Sequence, residues 1–244
     1  MGDGDRVSQT ERATRAVRAL ILSGEFPAGA RLTEVSLSAR LDLSRTPLRQ
    51  AMERLISEGL LSRIPSGGCQ VASFDLDDVN DAIELRGVLE GTVARLAAER
   101  GADPALMAEA NGVLDAIDAA FSDDGKVDFD AYVPLNAAFH ELVARMAGSA
   151  LIEREVSRIS QLPFASPSAF LRGQELVPGF LASLVCAQAQ HRAILEAIAA
   201  REGARAEALA REHARLARKN FAFLQKAGPH LTTRIPGLSL VKSI

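Results

Sequence analysis

Cysteine is scarce: Cys69 and Cys186 are the only two among 244 residues, far apart and outside any Cys-x-x-Cys spacing. That excludes a disulfide framework and a zinc ribbon and makes a reducing cytoplasm the expected compartment. Long apolar runs are absent too. Stretches such as Ala19 to Leu22 are a few residues long, against the roughly 18–20 that a bilayer-spanning helix needs, so no membrane partner is expected. The opening Met1-Gly2-Asp3-Gly4-Asp5 is acidic and polar, which predicts no secretory leader. Enzyme signatures are missing as well. There is no Gly-rich phosphate loop ending in Lys-Ser/Thr and no Gly-x-Ser-x-Gly elbow, and His140-Glu141 continues as Leu-Val-Ala without a metalloprotease's second histidine.

What is present has a globular balance, with 48% hydrophobic and 24% charged residues. The net charge of −3 hides a split. Residues 1–73 carry ten arginines and no lysine against eight acids, or +2, and the remainder carries eighteen basic against twenty-three acidic residues, or −5. A surplus of +2 is weak evidence for nucleic acid by itself; the placement of the arginines is more informative.

Ser8-Gln9-Thr10-Glu11 has the spacing of a capping box and predicts a helix to about Ser23, ended by Gly24. Thr33 caps a short helix over about 34–40, and Leu41-Asp42-Leu43 makes a tight bend. Ser44 caps a third helix running to about Glu58, with Pro47 in its first turn, where a missing N–H costs nothing. The period then changes. Leu60 to Ile64 and Cys69 to Ala72 read as two strands around the turn Pro65-Ser66-Gly67-Gly68. Three helices and a hairpin in this order spell a winged helix-turn-helix. From Asp75 the pattern is helical almost throughout, with helices expected at about 76–100, 104–121, 130–147, 150–162, 175–200 and 203–225. Pro134 is tolerable only in a first turn, Pro178-Gly179 is a possible break, and residues 227–244 read as a loose tail.

The block Ser44-Arg45-Thr46-Pro47-Leu48-Arg49-Gln50 starts the helix that such a fold lays in the major groove. Arg45 and Arg49 share a face at i and i+4, and an arginine fork can bond guanine O6 and N7 together. Ser44, Thr46 and free helix-start N–H groups can meet phosphates, and Gly67 with Gly68 suits a wing tip close to a backbone. The string Leu32-Thr33-Glu34, Leu41 to Ala51, Leu55, Glu58-Gly59-Leu60, Gly67-Gly68 and Val71 closely resembles the N-terminal domain of GntR-type bacterial transcription regulators. The resemblance implies that Arg45, Thr46 and Arg49 read or clamp operator DNA with the wing assisting. Thr33 and Ser44 complete the candidate DNA-facing set.

In the second part, His140 lies on a stripe with Tyr132, Phe139 and Val143; His191 neighbours Ile194, Leu195 and Ile198; His213 neighbours Leu209 and Leu216. A lone histidine on an apolar face is usually a satisfied core residue, but three in one helical domain make a metal site an equal reading. Neutral imidazoles suit Zn or Ni. Asn136 stands one turn before His140 and can point into the same space. Arg86 falls within the apolar stripe Val79, Ile83, Leu89, Val93. A guanidinium there needs an anionic partner, either an acid such as Glu90 or an effector carboxylate. Glu84-Leu85-Arg86, Leu89-Glu90, Asn136, His140, His191-Arg192 and His213 resemble the helical ligand-binding (FCD) domain of the FadR-like branch over roughly residues 75–225. The resemblance favours the metal. Many relatives have Asp where this chain has Asn136, a weaker donor, and that pattern is similar to regulators of aromatic-acid or hydroxy-acid catabolism.

The expected fold class is mostly α. A winged helix-turn-helix occupies 1–73, an all-α antiparallel bundle 74–226 and a tail 227–244. The expected function is a cytoplasmic, homodimeric, DNA-binding regulator, not an enzyme, acting as a repressor on a pseudo-palindromic double-stranded operator. A small organic acid is its effector, bound near a divalent metal held by Asn136, His140, His191 and His213, with Arg86 on the effector. The alternatives are a metal-sensing regulator in which the ion is the signal and, further off, a helical metal-dependent enzyme fused to a DNA-binding head.

Overall fold

A computed structural model of the chain describes residues 8–65, 67–122, 125–162, 164–168, 180–227 and 237–242. His230 and the Pro178-Gly179 pair lie outside them. The described residues form two compact units, the first of which also takes in the C-terminal stretch.

In the first unit, helices α1 (Gln9–Leu22), α2 (Glu34–Leu41) and α3 (Arg45–Ser57) surround a core in which Val17, Ile21, Leu37, Leu48 and Leu55 are wholly buried. The Ser8 hydroxyl accepts from the Glu11 N–H at 3.1 Å, but the Glu11 carboxylate turns to Arg15, so half of the expected capping box forms. Thr33 and Ser36 make a full one. Asp42 takes a left-handed conformation (φ 52°), which an Asp tolerates and which turns the chain tightly between α2 and α3. The wing is a sheet in the order β1-β3-β2, with β2 (Leu61–Arg63) and β3 (Cys69–Val71) as its hairpin. The third strand, β1 (Arg31–Leu32), pairs Leu32 with Cys69. Two residues are too few to show an alternating pattern, so pairing alone reveals this strand.

The tail expectation is corrected over residues 237–242. Gly237, at φ +83°, opens a 3-10 turn (Leu238–Leu240) whose leucines are 1% and 0% exposed. The Gly237 N–H donates to the Leu22 carbonyl at 2.8 Å, ending on α1. Phe74 donates to Leu240 at 2.9 Å and accepts from Lys242 at 2.8 Å, making a parallel bridge to Val241. The apolar cluster Leu238, Leu240, Val241 is buried instead of being left in water.

The regular elements described in the second unit are helices: α4 (Leu76–Arg100), α5 (Pro104–Ala119), α6 (Phe129–Met146), α7 (Ala150–Ser160), α8 (Phe180–Ala199), α9 (Gly203–Ala214) and α10 (Leu216–Ala227). Helix α5 packs on α6 and α8, and α8 on α9. Pro134 lies in the second turn of α6, which Asp128 caps, and not in its first. The helix expected over 203–225 breaks at Arg215. Arg86 draws the Ala214 carbonyl away at 3.2 Å, and the Arg218 N–H that would have bonded it turns to the Arg215 carbonyl at 3.1 Å. Glycines on α4 let α9 approach. A Cβ at Gly87 would stand 3.0 Å from that of Ala214, and one at Gly91 only 2.7 Å from Arg211. This close approach brings His213 towards the α4 carboxylate Glu90.

Candidate DNA interface and candidate metal centre

At the start of α3 the side chains of Ser44, Arg45, Thr46 and Arg49 are all exposed. Ser44 makes no side-chain capping bond, so its hydroxyl is available to an outside partner. Thr33 is not equally free, since its hydroxyl caps α2. Gly67 and Gly68 are exposed at φ +91° and +86°, and a Cβ on Gly68 would press to 3.2 Å on the Leu32 carbonyl. Arg31, which sequence reasoning missed, donates to the Gly67 carbonyl at 2.9 Å and pins the wing tip. Arg49 is held by Glu34 through two bonds, Nε to Oε1 at 2.7 Å and Nη2 to Oε2 at 3.0 Å. Arg49→Ala is expected to weaken operator binding by about 1–3 kcal/mol, roughly 5–150-fold, while leaving the fold intact. Fluorescence anisotropy with the operator measures this, and full retention of affinity would refute the placement of α3 in the groove.

In the helical unit, α6, α8 and α9 each bring one histidine to a common point. The Nε2 atoms of His191 and His213 are 3.0 Å apart, those of His213 and His140 3.3 Å, and ligand atoms of the three lie within 4.8 Å of one another. Each Nδ1 faces an oxygen: Gln188 Oε1 at 3.1 Å for His191, Gln190 Oε1 at 3.2 Å for His213, and Glu90 Oε1 at 3.1 Å for His140. The Gln188 amide is itself oriented by donating to Leu114 and Asp118. Oxygen partners fix the proton on Nδ1 and leave the lone pair on Nε2. Three lone pairs then converge in a buried space, which disfavours the arrangement unless a cation sits among them. Two nitrogens each about 2.0–2.1 Å from one ion would be about 2.8–3.4 Å apart for angles between 90° and tetrahedral. The observed 3.0 and 3.3 Å fit that range. The donor set therefore suits a divalent metal.

Burial, then the neighbouring His140, pushes His191 well below the ordinary 6.5; burial, then His191 and His140, does the same to His213. Both are neutral at pH 7. A histidine depressed on folding contributes stability that is present above pH 6.5 and lost as pH falls below it. Acidification from pH 7.5 to 5.5 is expected to cost the metal-free unit about 2–3 kcal/mol for the two imidazoles. Thermal melts across that range test this, and a flat melting temperature would contradict it.

Asn136 is buried, and its amide donates to the Pro167 carbonyl at 3.2 Å and the Ser168 hydroxyl at 3.3 Å. It thus ties α6 to the 164–168 loop. Arg86 is 2% exposed, donates to the Ala165 and Ala214 carbonyls at 3.2 Å each, and faces Glu90 at 3.6 Å. Burial alone would raise the Glu90 carboxyl, but the neighbouring His140 ring, which also hydrogen-bonds it, and the Arg86 guanidinium outweigh burial and hold it at about 2. Glu90 entered the sequence reading only as a partner for Arg86; it also abuts the histidines, lining a space of about 20 Å³ with Phe139, His140 and His213. That space takes one water-sized occupant. A wider cavity of about 290 Å³ is lined by Glu90, His140, Glu141, Glu153, Ser160 and Ser166, among others. Arg86 lines neither.

Comparison with known proteins accounts for both units. Residues 9–71 match the gntR family of bacterial regulatory proteins, and residues 81–216, more than half of the chain, match the FCD domain. The chain is 28% identical over 196 residues to the HTH-type transcriptional repressor GlaR of Escherichia coli (79% of this chain, 86% of that one). It is 29% identical over 142 residues to the Nta operon transcriptional regulator of Aminobacter aminovorans (58% and 65%). A probable D-xylose utilization operon transcriptional repressor of Paenarthrobacter nicotinovorans is 32% identical over 135 residues (55% and 57%). The chain thus spans less than two thirds of the length of these last two relatives. The solved structure of E. coli McbR/YncC superposes with a TM-score of 0.64 at 21% identity, covering 91% of this chain and all of that one, a likeness of fold. These families are transcriptional regulators, not enzymes, and no described helix is long and apolar enough to cross a membrane. The winged unit, the helical unit and both family matches agree: the chain belongs to the gntR family of bacterial regulatory proteins, with an FCD domain, and is a DNA-binding transcriptional regulator.

Proposed function

We propose that this regulator is a homodimeric repressor whose helical unit holds a divalent metal, Zn or Ni, and that a small organic acid bound beside the metal controls operator affinity. The convergence of three Nε2 atoms, each imidazole oriented by an oxygen at Nδ1, is the observation that carries the reading. His140, His191 and His213 would hold the ion, which would supply a positive centre with positions left for ligand oxygens. Asn136 is near in sequence, but its amide is engaged by the 164–168 loop. The cavity of about 290 Å³ opens beside His140, at the lower end of the roughly 300–1,000 Å³ typical of small-molecule sites. Its lining carries the carboxylates Glu90, Glu141 and Glu153, so a compact acid, aromatic or hydroxylated, would be held there through the metal. Arg86 supports the walls of the site instead of meeting the acid, since its guanidinium is engaged by two carbonyls and Glu90.

Two copies would each present one α3 to half of a pseudo-palindromic operator. The exposed apolar residues Leu85 and Val88 of α4 are compatible with a dimer face. An acid shifts operator binding only if it prefers one state of the dimer over another. The repressor relatives GlaR and the xylose-operon protein favour that sign of regulation.

The test is anisotropy of the purified protein on operator DNA, with metal removed by a chelator and then restored, and with candidate acids added. An acid response that needs the metal supports the proposal. Operator affinity that follows metal alone favours a metal sensor, a reading that the adjoining cavity makes second. No metal in the purified protein, with no effect of adding it, would overturn both.

A further inference from the structure

Arg49 is the only described arginine of the first unit held fork-to-fork by a carboxylate; its other arginine–glutamate pairs make single hydrogen bonds, such as Arg18–Glu58 and Arg63–Glu53. The carboxylate belongs to Glu34 in the first turn of α2, so the pair joins the two helices of the helix-turn-helix. Glu34 is itself firmly placed. Two residues upstream Leu32 is locked into the wing sheet opposite Cys69. The residue before it, Thr33, is fixed by its reciprocal bonds with Ser36 at 3.1 and 3.2 Å.

A guanidinium has five N–H groups in one plane. Glu34 takes one from Nε and one from Nη2. The outward pair on Nη1 and Nη2 stays free, parallel and aimed away from Glu34, and this pair matches guanine O6 and N7. Arg45, by contrast, is exposed and acts on Glu34 through its charge alone, which helps to lower that carboxyl. Its fork is free to follow a phosphate or a base as the DNA presents it.

We infer that Glu34 is a specificity-determining positioning residue: it aims the Arg49 fork at one base pair, and its negative charge disfavours DNA that lacks that base. The carboxylate repels every phosphate backbone alike and holds Arg49 away from the phosphates; a guanine, met by the outward N–H pair without breaking the Glu34 bonds, offsets this with two new hydrogen bonds. Specificity is thus raised by weakening the wrong complexes as much as by strengthening the right one. This inference rests on α3 being the recognition helix.

The full-length protein and an operator selected from random duplexes supply the test, with unrelated duplex of equal length as reference. Glu34→Gln is expected to raise affinity for unrelated DNA a few-fold and to lower the operator-to-unrelated ratio by about 5–100-fold, the discrimination carried by one bidentate contact. The relaxation should fall at the same base position that Arg49→Ala relaxes. Glu34→Asp keeps the charge but is too short to hold both nitrogens, and it should lower the ratio without raising affinity for unrelated DNA. If both variants leave the ratio unchanged, whatever happens to absolute affinity, Glu34 acts only as a charge or a staple and the inference is overturned. Retained operator affinity in Arg49→Ala would instead remove the recognition-helix reading beneath it.

Discussion

Arg86→Ala is expected to cost the helical unit about 3–5 kcal/mol of stability, a fall of roughly 6–20 °C in melting temperature for a domain of this size. The guanidinium is 2% exposed and bonds the carbonyls of Ala165 and Ala214 while facing Glu90. Alanine would leave two carbonyls and a carboxylate buried without their cation, and leaving partners unpaired costs more than the pair itself contributes. The break between α9 and α10 exists because Arg86 takes the Ala214 carbonyl, so amide exchange at Arg218 should change in the variant. Combining Arg86→Met with Glu90→Gln should recover part of the loss, since the charge left behind is then removed too. A melting temperature that stays put while the response to an acid disappears would transfer Arg86 from the framework to the effector.

His191→Ala is expected to leave the purified protein without bound metal. Its imidazole is wholly buried and its Nε2 is 3.0 Å from that of His213, so nothing on the surface can replace it. Loss of a residue that merely orients a ligand typically costs about 10–100-fold in metal affinity. Loss of one of three imidazoles should exceed that, whereas Gln188→Ala, which removes the oxygen on His191 Nδ1, should fall within it. Elemental analysis and competition with a chromophoric chelator give both values, with circular dichroism to check that the helices remain. Unchanged metal content in His191→Ala would return the three histidines to ordinary core packing.

Local chemistry made most of the helix boundaries legible. Asp103-Pro104 opens α5, Gly24 and Gly59 follow α1 and α3, and each acts through bonds to its own neighbours. What was not legible depends on distant residues. The stop at Arg215 is caused by a side chain 128 residues before Ala214, and β1 exists only because β3 lies beside it. Leu238 and Leu240 looked like tail residues because their burial needs α1 and Phe74. The same division holds in the site. Each histidine could be placed on an apolar stripe from its own helix, and Gln188 falls at i−3 from His191 on that helix. That His213 would be oriented by Gln190 of α8, or that Glu90 would close on His140 from α4, had no signal in spacing. The grip of Glu34 on Arg49 likewise spans two helices and becomes visible only once the bend at Asp42 has folded them together.

The return of residues 237–242 to the first unit bears on how such proteins can be recombined. The stretches before residue 77 and after residue 236 belong to one folded body, so the helical unit is an insertion and not an appendage. A chimera made by a single crossover near Leu76 would pair the new head with a Leu238–Leu240 turn shaped for the old one, and would leave the new α1 without its own cover. Exchange of heads needs a second crossover ahead of Gly237, so that α1 and the residues that bury its C-terminal end move as a single inheritance.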